Sequence, residues 1–242
     1  MAWDNAASVL NDAAVELGLI PADLADPYDS VDSNMTQLCR LLKSAGQDLA
    51  RDYAWTHLQK EYSFNTVAST GSYALPPDYD RLIDQTGWNR NSLIPLQGPL
   101  AAQGWQVLKA LVSTGAVGLW FRIVGDQLSL MPVPISAQSL AYEYVSRYWV
   151  RPFDQTSPTT DTPTDGNDVL YFDRRLLVCA VKLAFKRAKG FDSTAAQEDF
   201  EKALARAQGG DGAAPVLSLN GCRVGPERLL NGVNTPDTGF GT

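Results

Sequence analysis

The sequence predicts an α+β fold: a helical bundle built from the N- and C-terminal helices, an inserted β-rich domain, and an extended C-terminal tail. Three observations carry this. Apolar residues recur at steps of three and four near both ends, the period of a helix with one buried face. Between the two helical parts the period changes to two, as in a half-buried strand. Beyond residue 210 the composition turns to Gly, Asn and Pro with widely spaced apolar residues, too many for a solvated linker. The predicted boundaries are 1–60 with 169–210 for the helical bundle, 61–168 for the inserted domain, and 211–242 for the extension.

The first helix is predicted over 4–17, with Asp4 or Asn5 as cap and Val9, Leu10, Ala13, Ala14 and Leu17 as its buried stripe. Gly18 suits its stop. A loop rich in Pro and Asp precedes a longer helix over about 34–53, with Ser33 or Asn34 as cap and Met35, Leu38, Leu42, Ala45 and Leu49 along one seam.

The β-rich part starts near Tyr62. FNTVASTGSYALPP reads as a hairpin turning at Ser69-Thr70-Gly71 and ending at Pro76-Pro77, where proline removes a ladder donor. An extended piece at 93–96 leads into a helix over 100–111, with Pro99 in its first turn. LWFRIVGDQLSLM reads as a hairpin around Gly125-Asp126, and residues 139–149 as a third, aromatic strand. Residues 152–168 form a polar loop. Two last helices follow, one over 172–189 with a basic final turn and Gly190 as its stop. The other starts near 192–194 with Thr194 and Gln197 as a capping box, and ends at Gly209-Gly210.

Composition excludes several functions. A formal charge of −7 argues against generic binding to nucleic-acid phosphates, yet suits the wall of a passage from which DNA must slide freely. The N-terminus lacks a basic region and carries acids, so it does not read as a secretory signal, and no apolar run reaches membrane-span length. Cys39, Cys179 and Cys222 are widely spaced and odd in number, which fits buried thiols in a reducing compartment rather than disulfides or a zinc site.

Chemistry has few candidates. The single histidine, His57, reads as a packing or surface residue. Asp78, Asp80 and Asp84 are the best set for paired-carboxylate work, but after Pro77 they suit turn hydrogen bonds better. Asp161, Asp165 and Asp168 miss the calcium-loop pattern and read as solvated. Catalytic, cofactor-binding and metal residues are therefore expected to be none, with no cofactor and no enzyme activity.

SYALPPDYDRLIDQTGW, FRIVGDQLSLMPVP and YEYVSRYW together resemble the head-to-tail adaptor proteins of short-tailed bacteriophages, the tail tubular protein A type. The likeness covers about residues 4–208. It implies a structural virion protein of the tail neck, assembled in the host cytoplasm as a dodecameric ring between portal and tail nozzle. Its partners would be itself, the portal, the nozzle, tail fibres as a further candidate, and DNA as transient cargo, with no membrane. The spaced apolar residues of the extension ask for a partner, and the resemblance implies the portal, reached from about Val216 through Leu217, Leu219, Leu229 and Leu230, with Arg223 and Arg228 at the rim. A smaller neck or tail-completion plug is the alternative, and a glycan-acting tail enzyme using Asp78 and Asp80 a third.

Overall fold

Four helices share one apolar cluster because their stripes face each other. The computed structural model describes residues 3–111, 118–154 and 158–212. Helix α1 spans Ala6–Glu16, and Asn5 caps it by accepting the Ser8 N–H at 3.0 Å. Helix α2 spans Ser33–Asp52. Its cap is Asp32, one residue before the predicted Ser33 or Asn34: its carboxylate accepts from Asn34 N–H, while Ser33 is already helical. Helix α3, Ala102–Leu111, belongs to the inserted part. Pro99 lies ahead of it and not in its first turn. Helix α4 spans Arg174–Lys189 between Asp173, which accepts the Leu176 N–H, and Gly190 at φ 74.

Helix α5 runs Thr194–Asp211, through the glycine pair predicted to end it. The Thr194–Gln197 capping box does not form. Thr194 donates its hydroxyl to Asp192 at 2.8 Å, and Gln197 pairs with Arg187 and Glu201. Helix α4 packs against α1, α2 and α5 and is the bundle's centre. Leu176, Leu177 and Val181 are wholly buried there, each stabilising the fold by roughly 1.5–3 kcal/mol.

Ten short strands lie among the described residues, from Gln59 to Leu170. β1 (Gln59–Asn65), β3 (Tyr79–Leu82), β4 (Trp88–Asn89), β5 (Ile94–Pro95) and β8 (Ser139–Ser146) form one sheet. β2 (Ser72–Ala74), β6 (Trp120–Val124) and β7 (Gln127–Met131) form a second, in the order β2-β7-β6. β9 (Val150–Arg151) and β10 (Val169–Leu170) form a two-stranded ribbon. The predicted hairpin at Gly125-Asp126 is present: Val124 pairs with Gln127, and Gly125 takes φ 58, which a primed two-residue turn needs.

The predicted hairpin over 64–75 is not. β1 pairs antiparallel with β8 from Gln59↔Val145 to Asn65↔Ser139, and β2 pairs with β7. The turn at Ser69–Gly71 does form, drawn together by the Tyr73 hydroxyl, which donates to Thr70 O at 2.7 Å and accepts from Val67 N–H at 3.0 Å. It hands the chain to another sheet. β8 offers β1 a seven-residue partner, whereas β2 offers three, so the longer ladder takes it.

β8 ends at Ser146, three residues before the predicted Trp149, and joins the two halves. Leu140, Tyr142 and Tyr144 belong to the apolar cluster of the β part, with Phe121, Leu128 and Leu130. Val145 points the other way, into the helical cluster. Beyond the strand's end, Trp149 is fully buried against α2. A Cβ at Gly46 would lie 2.1 Å from the Trp149 ring, so only glycine fits under that indole. Residues 3–211 thus form one unit with two apolar clusters, on opposite faces of one strand.

Candidate functional site

Asp78, the strongest carboxylate in the sequence, sits where β3 meets β8. It is 7% exposed and accepts from three side chains: Lys60 Nζ at 2.7 Å, Tyr144 Oη at 2.8 Å and Ser146 Oγ at 2.8 Å. Its neighbours fix the backbone around it, as Arg147 N–H donates to Asp78 O and the Arg147 guanidinium to Pro77 O. Burial pushes the Asp78 carboxyl upward, but the bonds from Lys60, Tyr144 and Ser146 outweigh that and hold it below the ordinary range. Such a group is a poor general acid at neutral pH, and its acceptor sites are filled by the fold. It bonds side chains across the sheet, not the turn N–H groups expected. Asp80 pairs loosely with Arg81 at 4.0 Å, and Asp84 is exposed.

The loop acids are also structural, which corrects their reading as solvated residues. Asp168 is 2% exposed and accepts the N–H groups of Phe153, Thr164 and Asp165 at 2.7–3.0 Å. Two of these donors lie three and four residues before the carboxylate, which satisfies a tight loop from within, and the third, Phe153, lies fifteen residues back. Asp161 holds the same loop to the bundle, accepting from Gln47 at 3.2 Å through its side chain and from the Trp149 indole at 3.1 Å through its carbonyl. Among the described residues no group of His, Cys, Asp and Glu is arranged to hold a metal.

His57 lines an apolar cavity of about 350 Å³ with Trp3, Trp55, Phe172, Arg206 and Ala207. Its ring lies 4.9 Å from Trp3, 5.7 Å from Trp55 and 5.6 Å from Phe172, centroid to centroid. Its Nδ1 faces Asp211 at 3.4 Å. That carboxylate also accepts the Thr56 N–H at 2.9 Å and the Thr56 hydroxyl at 2.6 Å. Burial pushes the His57 pKa down, and Asp211 only partly restores it, so the imidazole is neutral at pH 7. A His–Asp pair needs a nucleophile to be catalytic, and no Ser or Cys lines this cavity. What the arrangement does is tie the last turn of α5 to the start of β1. Sequence reading placed His57 as a packing residue but gave no hint of Asp211, 154 positions away.

One further side chain went unread. Asn11 lies inside the α1 stripe, 6% exposed, and clamps both backbone groups of Leu24, donating to its O at 2.9 Å and accepting its N–H at 3.1 Å. A polar residue within an apolar period is the one signal that could have marked it. Cys39 is half-buried and Cys179 buried, both free. Burial, with Asp26 nearby, pushes the Cys39 thiol up to about 11, far from a reactive thiolate. No helix among the described residues is long and apolar enough to cross a membrane. Cys222 and the six expected portal-contact residues, Leu217, Leu219, Arg223, Arg228, Leu229 and Leu230, lie outside the described residues.

The geometry is that of a scaffold whose buried carboxylates, Asp78 and Asp168, are engaged in holding it. The comparison with known protein families agrees. The family model for SU10 adaptor protein matches residues 4–218, covering the bundle and the inserted part alike. No curated protein matches the chain.

Proposed function

We propose a specific role for this chain, which belongs to the SU10 adaptor protein family and is a structural head-to-tail adaptor of a bacteriophage. Copies assemble as a dodecameric ring between portal and tail nozzle and continue the channel through which DNA passes. The helical bundle, 1–60 with 169–210, forms the ring, and the inserted part, 61–168, meets the nozzle. The observation that carries this is the family match over residues 4–218, which takes in the helices on both sides of the insert and the insert itself. Two others support it: each candidate carboxylate with a buried side chain is satisfied by neighbours of its own chain, and the charge of −7 gives DNA little to adhere to.

The extension, 211–242, binds the portal from about Val216 through Leu217, Leu219, Leu229 and Leu230, with Arg223 and Arg228 at the rim. A segment of low propensity with spaced anchors orders against a partner. Deleting 212–242 is expected to leave circular dichroism and melting temperature unchanged and to abolish co-sedimentation with portal. A truncated protein that joins portal as well as the full chain overturns this assignment.

A further inference from the structure

The last turn of α5 is a poor helix held shut by one carboxylate. Gly209 and Gly210 lie within the helix, which runs on to Asp211. Neither has a positive φ, and a Cβ at either would meet nothing within 4 Å. The surrounding fold therefore leaves room for a side chain at both, yet each glycine lowers the weight of the helical turn about fivefold against alanine. Asp211 adds to this, because a negative charge at the C-terminal end of a helix opposes the helix dipole. No basic residue stands in that turn to offset it.

What keeps the turn closed comes from far along the chain. The Asp211 side chain is 9% exposed; it accepts the Thr56 N–H at 2.9 Å and the Thr56 hydroxyl at 2.6 Å, and faces His57 Nδ1 at 3.4 Å. Thr56 and His57 stand in the short helical turn before β1, and the rings of Trp3, Trp55 and Phe172 pack around the imidazole. The catch is thus firmly seated. The turn that it catches is not, whereas the turns before it are held to the helical cluster by Phe200, Ala203, Leu204 and Ala207.

We infer that this turn is a latch built to open: Asp211 on Thr56 and His57 holds it shut, and it unwinds through Gly209 and Gly210, without the rest of the bundle, when the segment that follows engages a partner. A helical exit fixes the direction in which the chain leaves. Unwinding three residues frees that direction and lengthens the chain by about 5 Å. By linkage, a partner that favours the open turn is bound more tightly by a chain whose latch is weakened, and less tightly by one whose turn is reinforced. The release step rests on the portal reading above; the latch itself does not.

The test is hydrogen exchange of the full chain, alone and with portal. In the free chain the amides of 209–211 are expected to exchange by local opening, faster than those of 200–207. Asp211→Ala is the deciding variant. Alanine is the better helix former and removes the charge from the helix's negative end, so at an ordinary helix end it slows exchange. At a latch it speeds exchange of 209–211, by at least about tenfold for the bonds lost, with α4 protected as before. Gly209→Ala with Gly210→Ala, which have room for the added carbons, is expected to slow exchange there by up to about 25-fold. Portal is expected to deprotect 209–211, to bind Asp211→Ala more tightly than wild type, and to bind the double-alanine chain more weakly. An Asp211→Ala chain whose last turn exchanges as slowly as wild type, or more slowly, overturns the latch. Portal affinity that is the same for all three chains overturns its release by a partner. A wild-type chain that does not bind portal overturns the portal reading instead, and the exchange rates alone then decide the latch.

Discussion

The helical and β-rich halves keep their polar groups in opposite ways. In the bundle, ion pairs lie at the rim: Arg174 with Asp12 at 2.7 Å, and Arg175 with Glu16 at 2.8 Å, each of these side chains more than a third exposed. Such pairs add little stability, and shape-fitted apolar contact carries the bundle. In the β part a carboxylate is taken inside and surrounded by hydroxyls and an ammonium, while long stretches of surface carry no charge. One half is held by shape, the other by a polar network. Substitutions that change volume should therefore fall hardest on the first, and those that change hydrogen bonding on the second.

The largest expected effect is Gly46→Ala. The added Cβ would lie 2.1 Å from the Trp149 ring, and overpacking there should cost about 3 kcal/mol in chemical denaturation. Hydrogen exchange should speed up first in α2 and α4. Equal loss of protection along β1 and β8 would break the contrast and make both halves one cooperative unit.

Asp78→Asn comes next. An amide can still accept one bond but faces Lys60 and two buried hydroxyls without charge, at an expected cost of about 2 kcal/mol. Exchange should rise in β1, β3 and β8. A variant as stable as wild type would show the network to be incidental.

The smallest effects follow pH. The folded His57 pKa lies below the ordinary 6.5, so the unfolded chain binds a proton more readily, and stability falls as pH drops through that region. The Asp78 pKa lies below the ordinary 3.8. Its contribution is therefore complete above that value and lost as pH falls further, through the folded pKa. Thermal melts from pH 8 to 3 should show two separate declines. His57→Phe should remove the upper and Asp78→Asn the lower; one merged decline would erase the distinction.

The same contrast explains what was legible in the sequence. Each predicted bundle helix was found, because helical period and caps are written within a few residues of each other: Asn5 before α1, Gly190 after α4. Errors there were shifts of one or two residues at helix ends, and a capping box at α5 that does not form. Strands were found as segments, and the hairpin closed by its own turn at Gly125-Asp126 was paired correctly, but β1 was given the wrong partner. A strand's partner is set by competition among distant segments, and nothing local in 59–65 names β8. Trp149 looked like a strand residue because alternation continued past Ser146, although its burial depends on a missing Cβ at Gly46. The candidate carboxylates were placed at the correct positions and given the wrong surroundings, since Asp168 and Asp78 are satisfied by loop closure and cross-strand donors that only folding assembles.

β8 gives the molecule a mechanical property. An eight-residue strand bonded along one side to β1, and on the other to β3 and β4, ends three residues from an indole wedged on a helix. A pull at its Ser139 end acts along the strand, so its ladder bonds are loaded in parallel instead of unzipping one by one. Tension applied there would then reach the helices without a compliant hinge, and the chain would behave as a stiff strut between its two apolar clusters.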